Sequence, residues 1–327
     1  MLIGLTYDLR SDYLAQGYPP DAVAEFDSDE TIQALEQTIG SLGHQTERIG
    51  NVRALCARLA AGSRWDLVFN VAEGLSGRSR ECQVPAVLEA FGLPYTFSDP
   101  LTCAATLDKA VAKRLIQAAG LPTPGFHVVE SLDDVPRVGL VFPLFAKPLA
   151  EGTSKGITEW SVIATPEQLE HACRRLLSEY AQPVLVEEFL PGREFTAGIV
   201  GTGPAARVIG VMEIEIRQPS GAAVYSYETK EQCEQLVRYS RLGACPLRDE
   251  VDDLALKAYR ALQCRDAARV DVRCDRSGKP AFIEVNPLPG LHPTHSDLPM
   301  IASQGGISYA RLIESIIRNA AMRLGKT

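Results

Sequence analysis

The hydrophobic pattern near the C-terminal end of the chain predicts a β-hairpin. Apolar and polar residues alternate over 268–273 and again over 282–287, which is the period of a strand with one buried face. Between them, residues 275–279 read Asp-Arg-Ser-Gly-Lys, a composition typical of a turn. The predicted hairpin therefore has one polar face and one apolar face.

The polar face of this hairpin carries candidate chemistry. Arg269 and Asp271 share one face of the first strand, and Glu284 and Asn286 share one face of the second. If the turn centres on residues 276–277, Arg269 lies opposite Glu284, and Asp271 is a diagonal neighbour of Glu284. Carboxylate and amide oxygens suit a hard cation such as Mg²⁺; a surface hairpin with solvated charges is the alternative interpretation. The side chains predicted to face a core are Val270, Val272, Ile283 and Val285.

The loop that follows the hairpin, residues 287–293, is rich in proline and contains Gly290. Such a rigid loop with a glycine can bring its backbone close to a ligand, although prolines also simply end strands. Histidines in a loop of this kind, His292 and His295, are more typical of a structural or solvent-facing role than of catalysis. Cys274 is interpreted as a packing residue.

Strands and helices alternate in the first hundred residues, which predicts a doubly wound parallel sheet. The predicted strands are 2–7, 46–49 and 67–71, and the predicted helices are 30–42, 52–61 and 84–91. A polar loop at 73–81 follows the third strand, at the edge where ligands collect in open α/β sheets. The fold class expected for the N-terminal part is α/β.

The rest of the chain predicts an α+β arrangement. The predicted strands are 126–129, 143–148, 183–189, 194–201 and 206–216, and helices are expected at 102–120, from 165, at 247–262 and at the C-terminal end. Residues 151–156 are small, hydroxyl-bearing and glycine-rich, which suits a phosphate or a flexible surface loop. The polar excursion 218–234 is a candidate lid.

Composition narrows the functional classes. The chain has 327 residues and a formal net charge of −8, which argues against general binding to nucleic acids or acidic membranes. Its eight cysteines are scattered and form no C-x-x-C pair, as expected of reduced thiols in a cytoplasmic protein without a zinc site. The N-terminal segment reads as a strand rather than a signal peptide, and no segment is long and apolar enough to span a membrane.

These motifs, in this order and at these intervals, resemble the D-alanine–D-alanine ligase family of the ATP-grasp superfamily. The resemblance covers nearly the whole chain and is strongest over 92–120 and from 143 onwards. It implies three domains: an N-terminal α/β domain at 1–100, a central domain at 101–188 and a C-terminal catalytic domain at 189–327. It also implies a ligase that uses ATP and Mg²⁺, with two ions expected and Mn²⁺ as an alternative.

The resemblance assigns a set of residues to ATP. Lys109 and Lys147 match the lysines that reach the phosphates, and Lys230 matches a lysine on the mobile loop. Glu194 matches the carboxylate that binds the ribose. The small-residue loop over the phosphates contains Glu151, Gly152, Thr153 and Ser154, and the adenine hinge contains Glu187, Glu188, Phe189 and Leu190. Thr153 stands where the family has a serine that also helps to order the active site.

The resemblance also assigns the metal and the amino-acid substrates. Arg269 and the backbone of Gly290 match the groups that stabilise the acyl phosphate and the tetrahedral intermediate. Ser296 approximately matches, with one inserted residue, a serine that binds the second substrate's carboxylate, and Glu73 is placed on the substrate side. The residues that match the Mg²⁺ ligands are Asp271, Glu284 and Asn286.

The sequence departs from the family on the amino-acid side. The loop at 7–13 lacks the glutamate that holds the first D-alanine's amino group, and the residues that could substitute are Asp8, Asp12 and Glu25. Glu231 stands where a tyrosine is common. Arg78 and Arg80 follow the third strand and are either solvated or able to meet an extra carboxylate. This pattern fits ligase chemistry retained on a different acyl donor.

Three functional hypotheses follow. The first is a ligase that forms a peptide or amide bond between two small amino-acid-like substrates, either D-alanine or a variant pair. The second is an ATP-binding protein that has lost ligation, although Arg269 has no use in a pure binder. The third is transfer of an acyl phosphate to a thiol or hydroxyl. A homodimer in the cytoplasm, without nucleic-acid or membrane partners, is expected from the resemblance.

Overall fold

The fold is seen in a computed structural model, which describes residues 1–216 and 237–323. Lys230 and the predicted lid at 218–234 lie outside the described residues. In the described part of the chain, no helix is long and apolar enough to cross a membrane.

The N-terminal segment forms a parallel three-stranded sheet, as the alternation of strands and helices predicts. The strands are β1 (Leu2–Thr6), β2 (Gln45–Gly50) and β3 (Leu67–Asn70), in the order β2-β1-β3. The helices are α1 (Arg10–Ala15), α2 (Asp29–Ser41), α3 (Val52–Ala60) and α4 (Gln83–Ala90). The short helix α1 was not predicted, because its sequence lacks a clear apolar stripe.

Both faces of this sheet are covered, which explains the apolar strands. Ile3 and Phe69 pack on one side with Ile32 of α2, and Val68 packs on the other side with Leu55 of α3. The first residue of α2 follows Ser28, whose hydroxyl accepts a hydrogen bond from the backbone N–H of Thr31 at 3.2 Å. This cap fixes the start of the helix.

The central segment contains a four-stranded antiparallel sheet in the order β4-β7-β5-β6. Its strands are β4 (Phe126–Val129), β5 (Leu144–Pro148), β6 (Val162–Ile163) and β7 (Val184–Glu188), and its helices are α5 (Pro100–Leu107), α6 (Lys109–Ala118) and α7 (Pro166–Tyr180). The predicted helical region 102–120 is divided at Asp108. The Asp108 side chain caps α6 by accepting from Val111 N–H at 3.0 Å, which places Lys109 in the first turn.

The C-terminal segment contains an antiparallel sheet in the order β10-β9-β8-β11-β12. Its strands are β8 (Glu194–Val200), β9 (Arg207–Ile216), β10 (Val237–Arg241), β11 (Ala267–Cys274) and β12 (Pro280–Asn286), and its helices are α8 (Pro246–Ala261), α9 (Asp297–Gln304) and α10 (Tyr309–Arg323). The helix α10 packs against the N-terminal sheet through Ile313 and Ile316. The elements β6, β10 and α9 were absent from the prediction.

The register of the β11–β12 hairpin differs from the prediction. Asp271 pairs directly with Glu284, and Arg269 pairs with Asn286. The turn centres on Ser277, because Cys274 pairs with Pro280, and a bulge adds one residue at Ile283. Consequently Phe282, rather than Ile283, enters the core, and Ile283 faces a cavity beside Glu284.

Candidate active site

Two adjoining cavities collect almost all of the site residues expected from the sequence. The larger has a volume of about 520 Å³ and the smaller about 110 Å³. Four residues line both: Thr153, Arg269, Glu284 and Asp297. The larger cavity also contains Glu73, Lys109, Glu151, Gly152, Asn286, Gly290 and Ser296, and the smaller also contains Lys147, Ser154, Glu187, Glu188, Phe189, Leu190, Glu194 and Asp271.

An aromatic side chain and a carboxylate lie side by side in the smaller cavity. The Phe189 ring stacks on Phe145 with 6.3 Å between centroids, and the Arg273 guanidinium lies 5.1 Å from the Phe189 centroid. Arg273 also donates to Glu194 at 3.0 Å. The pKa of Glu194 is raised by burial, which Arg273 partly opposes. A flat apolar surface next to a carboxylate suits a base and its ribose.

Glu187 has a different environment from that expected of an adenine contact. Its carboxylate lies 2.9 Å from Nζ of Lys113 and 3.1 Å from Nζ of Lys147, and Lys113 is fully buried. Burial opposes ionisation of Glu187, but the two lysines lower its pKa. Glu187 therefore holds the lysine at the end of β5 in place. Lys113, on α6, was not singled out in the sequence because a buried lysine has no sequence signature.

Glu284 faces the two lysines assigned to phosphates. Its Oε2 lies 3.7 Å from Nζ of Lys109 and 3.6 Å from Nζ of Lys147. Burial raises the pKa of Glu284, but these charges outweigh it and lower the pKa to about 2. Glu284 is therefore ionised. Its contacts with Lys109 and Lys147 are long enough for both lysines to exchange this carboxylate for the phosphate of a bound ligand.

Arg269 is held by two carboxylates. Its Nε and Nη2 donate to the two oxygens of Asp271, each at 3.0 Å, and its Nη1 donates to Asp297 at 2.6 Å. Burial disfavours the charged guanidinium, yet Asp271 and Asp297 raise its pKa above the ordinary value. Asp297 was missed in the sequence, because the first residue of a short helix gives no signal of contact with a strand 28 residues earlier.

The small-residue loop after β5 has a strained backbone. Thr153 and Ser154 adopt φ values of 50° and 57°, in the left-handed region that a β-branched residue such as threonine rarely occupies. Strain of this kind persists only where the surroundings hold the loop, and it concentrates at ligand sites. Glu25 supplies part of that support, because its Oε1 accepts from the backbone N–H of Gly152 at 2.6 Å.

The three carboxylates that could replace the family's missing glutamate have different environments. Asp8 accepts from the Tyr13 hydroxyl at 2.5 Å and from Gly74 N–H at 2.8 Å, so it braces the N-terminal loops. Asp12 is exposed and lies outside both cavities. Glu25 lines the larger cavity but is committed to protein partners.

The partners of Glu25 are Arg80, at 2.9 Å, and Lys155, at 3.2 Å. Burial raises the pKa of Glu25, but the two cations lower it to about 2. Arg78 is largely exposed and donates to Asp108 at 2.6 Å. Both arginines therefore pair with carboxylates of the protein, and neither lines the larger cavity.

For three carboxylates in the larger cavity, the described residues provide no such ion-pair partner. Asp27, Glu73 and Glu81 all line it. Burial raises the pKa of Asp27 to about 7, with Arg10 opposing the rise, and burial raises that of Glu81 to about 7, with Arg80 opposing it. Asp27 and Glu81 were not assigned from the sequence, where each stands among other charges.

The loop after β12 forms part of the wall of the larger cavity. Ser296 Oγ accepts from the backbone N–H of His292 at 3.0 Å, and a Cβ at Gly290 would lie only 2.8 Å from this Oγ. A larger residue at 290 therefore requires the Ser296 side chain to shift. His292 Nδ1 accepts from the N–H groups of Thr294 and His295, both at 3.3 Å, so it shapes the loop, although both histidine rings line the cavity. Cys274 is buried in the core, as predicted.

The hairpin residues fit a hard cation shared with phosphates. Asp271 lies directly opposite Glu284, and Asn286 Nδ2 lies 3.4 Å from Asp271 Oδ2. Within the described ranges, no three His, Cys, Asp or Glu side chains are arranged to hold a metal by themselves. Two carboxylates and an amide suit Mg²⁺, which usually keeps waters and takes further oxygens from phosphates.

Comparisons with known proteins agree with this site. The family described as D-ala D-ala ligase C-terminus matches residues 115–318. A D-alanine–D-alanine ligase of Bordetella petrii is 35% identical over 302 residues, covering 89% of this chain and 87% of its own. The uncharacterized protein y4sG of Sinorhizobium fredii is 38% identical over 267 residues, covering 79% of this chain and 75% of its own.

Solved structures show the same fold. The D-alanine–D-alanine ligase of Bacillus anthracis complexed with ATP has a TM-score of 0.73 at 22% identity, covering 100% of this chain and 99% of its own. The VanG D-Ala:D-Ser ligase of Enterococcus faecalis has a TM-score of 0.74 at 21% identity, covering 98% and 99%. The chain thus has the ATP-grasp fold, as predicted. It belongs to the D-alanine–D-alanine ligase family.

Proposed function

We propose that the protein is an ATP- and Mg²⁺-dependent ligase that joins two small amino-acid-like substrates and releases ADP and phosphate. The observation that carries the proposal is the junction of the two cavities at Arg269 and Glu284. On one side lies the aromatic surface and carboxylate suited to a nucleoside, and on the other a cavity of about 520 Å³, large enough for two small amino acids. Membership of the ligase family supports the same activity.

The chemistry starts from a carboxylate, which is a poor electrophile. A carboxylate oxygen of the first substrate attacks the γ-phosphorus of ATP, and ADP leaves. The amine of the second substrate then attacks the carbonyl carbon of the acyl phosphate and loses a proton, and phosphate leaves. The protein's contribution is to position these groups and to neutralise their charge.

The proposed roles rest on the family resemblance and, for the described residues, on their positions in the two cavities. Lys109 and Lys147 offset charge on the phosphates, and Arg269 offsets it on the acyl phosphate. The backbone N–H of Gly290 serves the tetrahedral intermediate, and Thr153 orders the loop over the phosphates. The proposed nucleotide contacts are Glu151, Gly152, Ser154, Glu188, Phe189, Leu190, Glu194 and Lys230, with Glu187 acting through Lys147. Ser296 is proposed to bind the second substrate's carboxylate, and Glu73 lies on the side of the first.

Mg²⁺ would be held by Asp271, Glu284 and Asn286. Two Mg²⁺ ions, or Mn²⁺ in place of Mg²⁺, are the alternatives at this site. When bound, the metal supplies positive charge at the phosphates.

We further propose that the chain has three domains, at 1–100, 101–188 and 189–327, because one described sheet falls in each segment. A homodimer in the cytoplasm remains part of the proposal.

The proposal is tested by ADP release from Mg²⁺-ATP with D- and L-amino acids, singly and in pairs, together with product masses. Release that depends on an added amino acid, with a product of the summed mass less water, is expected. Tight ATP binding without release in any combination would favour a protein that only binds ATP. Arg269→Ala serves as the matched inactive variant.

A further inference from the structure

Two residues of the N-terminal segment hold the small-residue loop that follows β5. Glu25 lies between α1 and α2, and Arg80 lies between β3 and α4. Glu25 Oε1 accepts from the backbone N–H of Gly152 at 2.6 Å, and Arg80 Nη1 donates to the backbone carbonyl of Ala150 at 2.8 Å. The loop therefore takes two of its main-chain contacts from outside the central segment.

Glu25 reaches both sides of the two strained residues in this loop. The Oε1 atom that binds Gly152 also lies 3.2 Å from Nζ of Lys155. Between these two contacts stand Thr153 and Ser154, whose φ values of 50° and 57° persist only where the surroundings enforce them. Gly152 permits the close approach, because a Cβ there would lie only 3.0 Å from Glu25 Oε1. One carboxylate thus fixes both ends of the strained backbone.

Arg80 holds Glu25 in this position. Its Nη2 donates to the other carboxylate oxygen, Glu25 Oε2, at 2.9 Å, while its Nη1 binds Ala150. The side chains of Arg80 and Glu25 are each only 8% exposed. The planar guanidinium sets the distance between its two partners, which a flexible ammonium group would not do. Arg80 therefore links the carboxylate to the start of the loop.

The buried charges around Glu25 balance one another. The cluster consists of two cations and two carboxylates, Arg80, Lys155, Glu25 and Glu151. Lys155 pairs with both carboxylates, and Arg80 Nη2 lies 3.7 Å from Glu151. Arg80 and Lys155 line neither cavity. The two cations therefore act on the loop and not directly on a bound ligand.

The residues that this cluster fixes lie where the two cavities meet. Thr153 lines both cavities, and Ser154 lines the smaller one together with Lys147 and Glu284. Successive backbone N–H groups in a turn of this kind form a concavity that binds anions. A loop that is already ordered spares the ligand the free-energy cost of ordering it.

We propose that Arg80 is a positioning residue for the phosphate loop. Acting through Glu25, it holds Thr153 and Ser154 in the conformation that receives the phosphates of ATP before the nucleotide binds. This inference rests on the proposed ATP-dependent ligase function and deepens it by giving the N-terminal segment a part in nucleotide binding. It also gives Arg80 and Glu25, both first considered for contacts with substrate, a different role.

The test measures the binding of two ligands to Arg80→Met by calorimetry. Adenosine meets only the contacts proposed for the base and ribose, so its affinity should stay within about twofold of the wild-type value. The affinity for a non-hydrolysable ATP analogue with Mg²⁺ should fall about tenfold, because the loop must then be ordered on binding. The KM for ATP in ADP release should rise by a similar factor, with a smaller change in kcat.

Arg323→Met is the matched control. Arg323 also joins a buried carboxylate, that of Asp266, to a backbone carbonyl, that of Tyr95, and it lines neither cavity. This variant should lose stability in urea, as Arg80→Met does, because each leaves a buried carboxylate short of its cation. It should keep its affinity for the ATP analogue within about twofold of wild type.

Two further variants separate positioning from a failure to fold. Arg80→Lys keeps the charge and can reach one of the two partners, so it should recover part of the affinity for the analogue. In Arg80→Met/Glu25→Gln, the affinity should be no lower than in the weaker-binding single variant, because both residues act on the loop together. Losses that multiply in the double variant would overturn the route through Glu25.

Unchanged affinity for the analogue in Arg80→Met, or a parallel loss of adenosine binding, would overturn the inference. Neither result decides ligation, which is judged by amino-acid-dependent ADP release from the wild-type protein. A wild-type protein that binds the analogue but releases no ADP with any amino acid would overturn the ligase function. The role of Arg80 would still stand in that case if Arg80→Met weakened the analogue alone.

Discussion

Asp297 accepts a hydrogen bond of 2.6 Å from Nη1 of Arg269, on the side of the guanidinium opposite Asp271. Asp271 is also a proposed metal ligand, so an ion at the hairpin would compete for the oxygens that now hold Arg269. Asp297 can keep the guanidinium in place when that happens. We therefore regard Asp297 as a positioning residue for the acyl phosphate step.

Asp297→Asn should lower kcat about tenfold, or about 1.4 kcal/mol of barrier, because the neutral amide holds the guanidinium less firmly. The affinity for ATP should change by less than about twofold. Steady-state kinetics and ATP binding measure the two effects. Asp253→Asn, at an exposed ion pair on α8, is the matched control. Equal losses of kcat and ATP affinity would argue for a general structural role.

Arg269→Ala should abolish ligation, a loss on the order of 10²–10³-fold or more, because a pre-organised charge is removed from the reacting phosphate. ATP binding should remain nearly unchanged, since the proposed contacts with the base and ribose, at Phe189 and Glu194, are made by other residues of the smaller cavity. Single-turnover product formation and nucleotide binding separate these effects. If both fell in parallel, the role assigned to Arg269 would be wrong.

Glu284→Gln should raise the Mg²⁺ concentration needed for half-maximal ADP release, because one of the two charged ligands proposed for the metal becomes neutral. Binding of adenosine, which lacks phosphates, should be unaffected. A magnesium titration of the rate, with adenosine calorimetry alongside, provides the measurement. Normal turnover at the wild-type Mg²⁺ concentration would remove Glu284 from the metal site.

Lys113→Met should lower the free energy of unfolding by about 2–4 kcal/mol, because Glu187 stays buried with only Lys147 beside it. Adding Glu187→Gln should recover part of the loss. Urea denaturation measures both variants, and Lys257→Met on the exposed face of α8 is the control. A loss no larger than that of the control would mean that the buried pair contributes little.

The raised pKa of Asp27, about 7, predicts how stability depends on pH. Between the ordinary carboxyl pKa and about 7, the folded protein binds a proton that the unfolded chain has released, so the free energy of unfolding falls as the pH rises. Asp27→Asn should remove a decline on the order of 2–4 kcal/mol between pH 4 and pH 8. Urea denaturation across this range, with Asp253→Asn as control, tests it. An unchanged slope would show that Asp27 does not titrate there.

Most strands and helices could be predicted from hydrophobic periodicity. Each of these elements buries one face in a core, and the strands of the parallel sheet bury both faces. The hairpin register could not be obtained in this way. Phe282 and Ile283 are both apolar, so alternation fits either of them facing the core, and the bulge is decided by packing of Phe282. The local sequence also gives no sign that the helical region 102–120 is divided at Asp108. The division is recognised only from the structure, where the Asp108 side chain caps the second helix.

The residues assigned to ATP occur in short motifs, and the structure places the described ones along the two adjoining cavities, while their contacts with ATP stay a prediction. The amino-acid side could not be predicted, since it is built from single residues on separate loops. Arg80 illustrates the difficulty. Its charge suggested a contact with a substrate carboxylate, yet its guanidinium donates a hydrogen bond to Glu25, 55 residues earlier in the chain. Glu81, beside it in the sequence, is the residue that faces the cavity.

The most direct measurement uses an amino acid labelled with ¹⁸O in its carboxylate, as the donor that supports ADP release, with Mg²⁺-ATP and an amine acceptor. Mass spectrometry of the released phosphate and of the product follows the label. A ligase that works through an acyl phosphate transfers one ¹⁸O atom to phosphate for each product molecule formed. Unlabelled phosphate would mean that ATP is hydrolysed by water, and ligation through the Arg269 site would then be refuted.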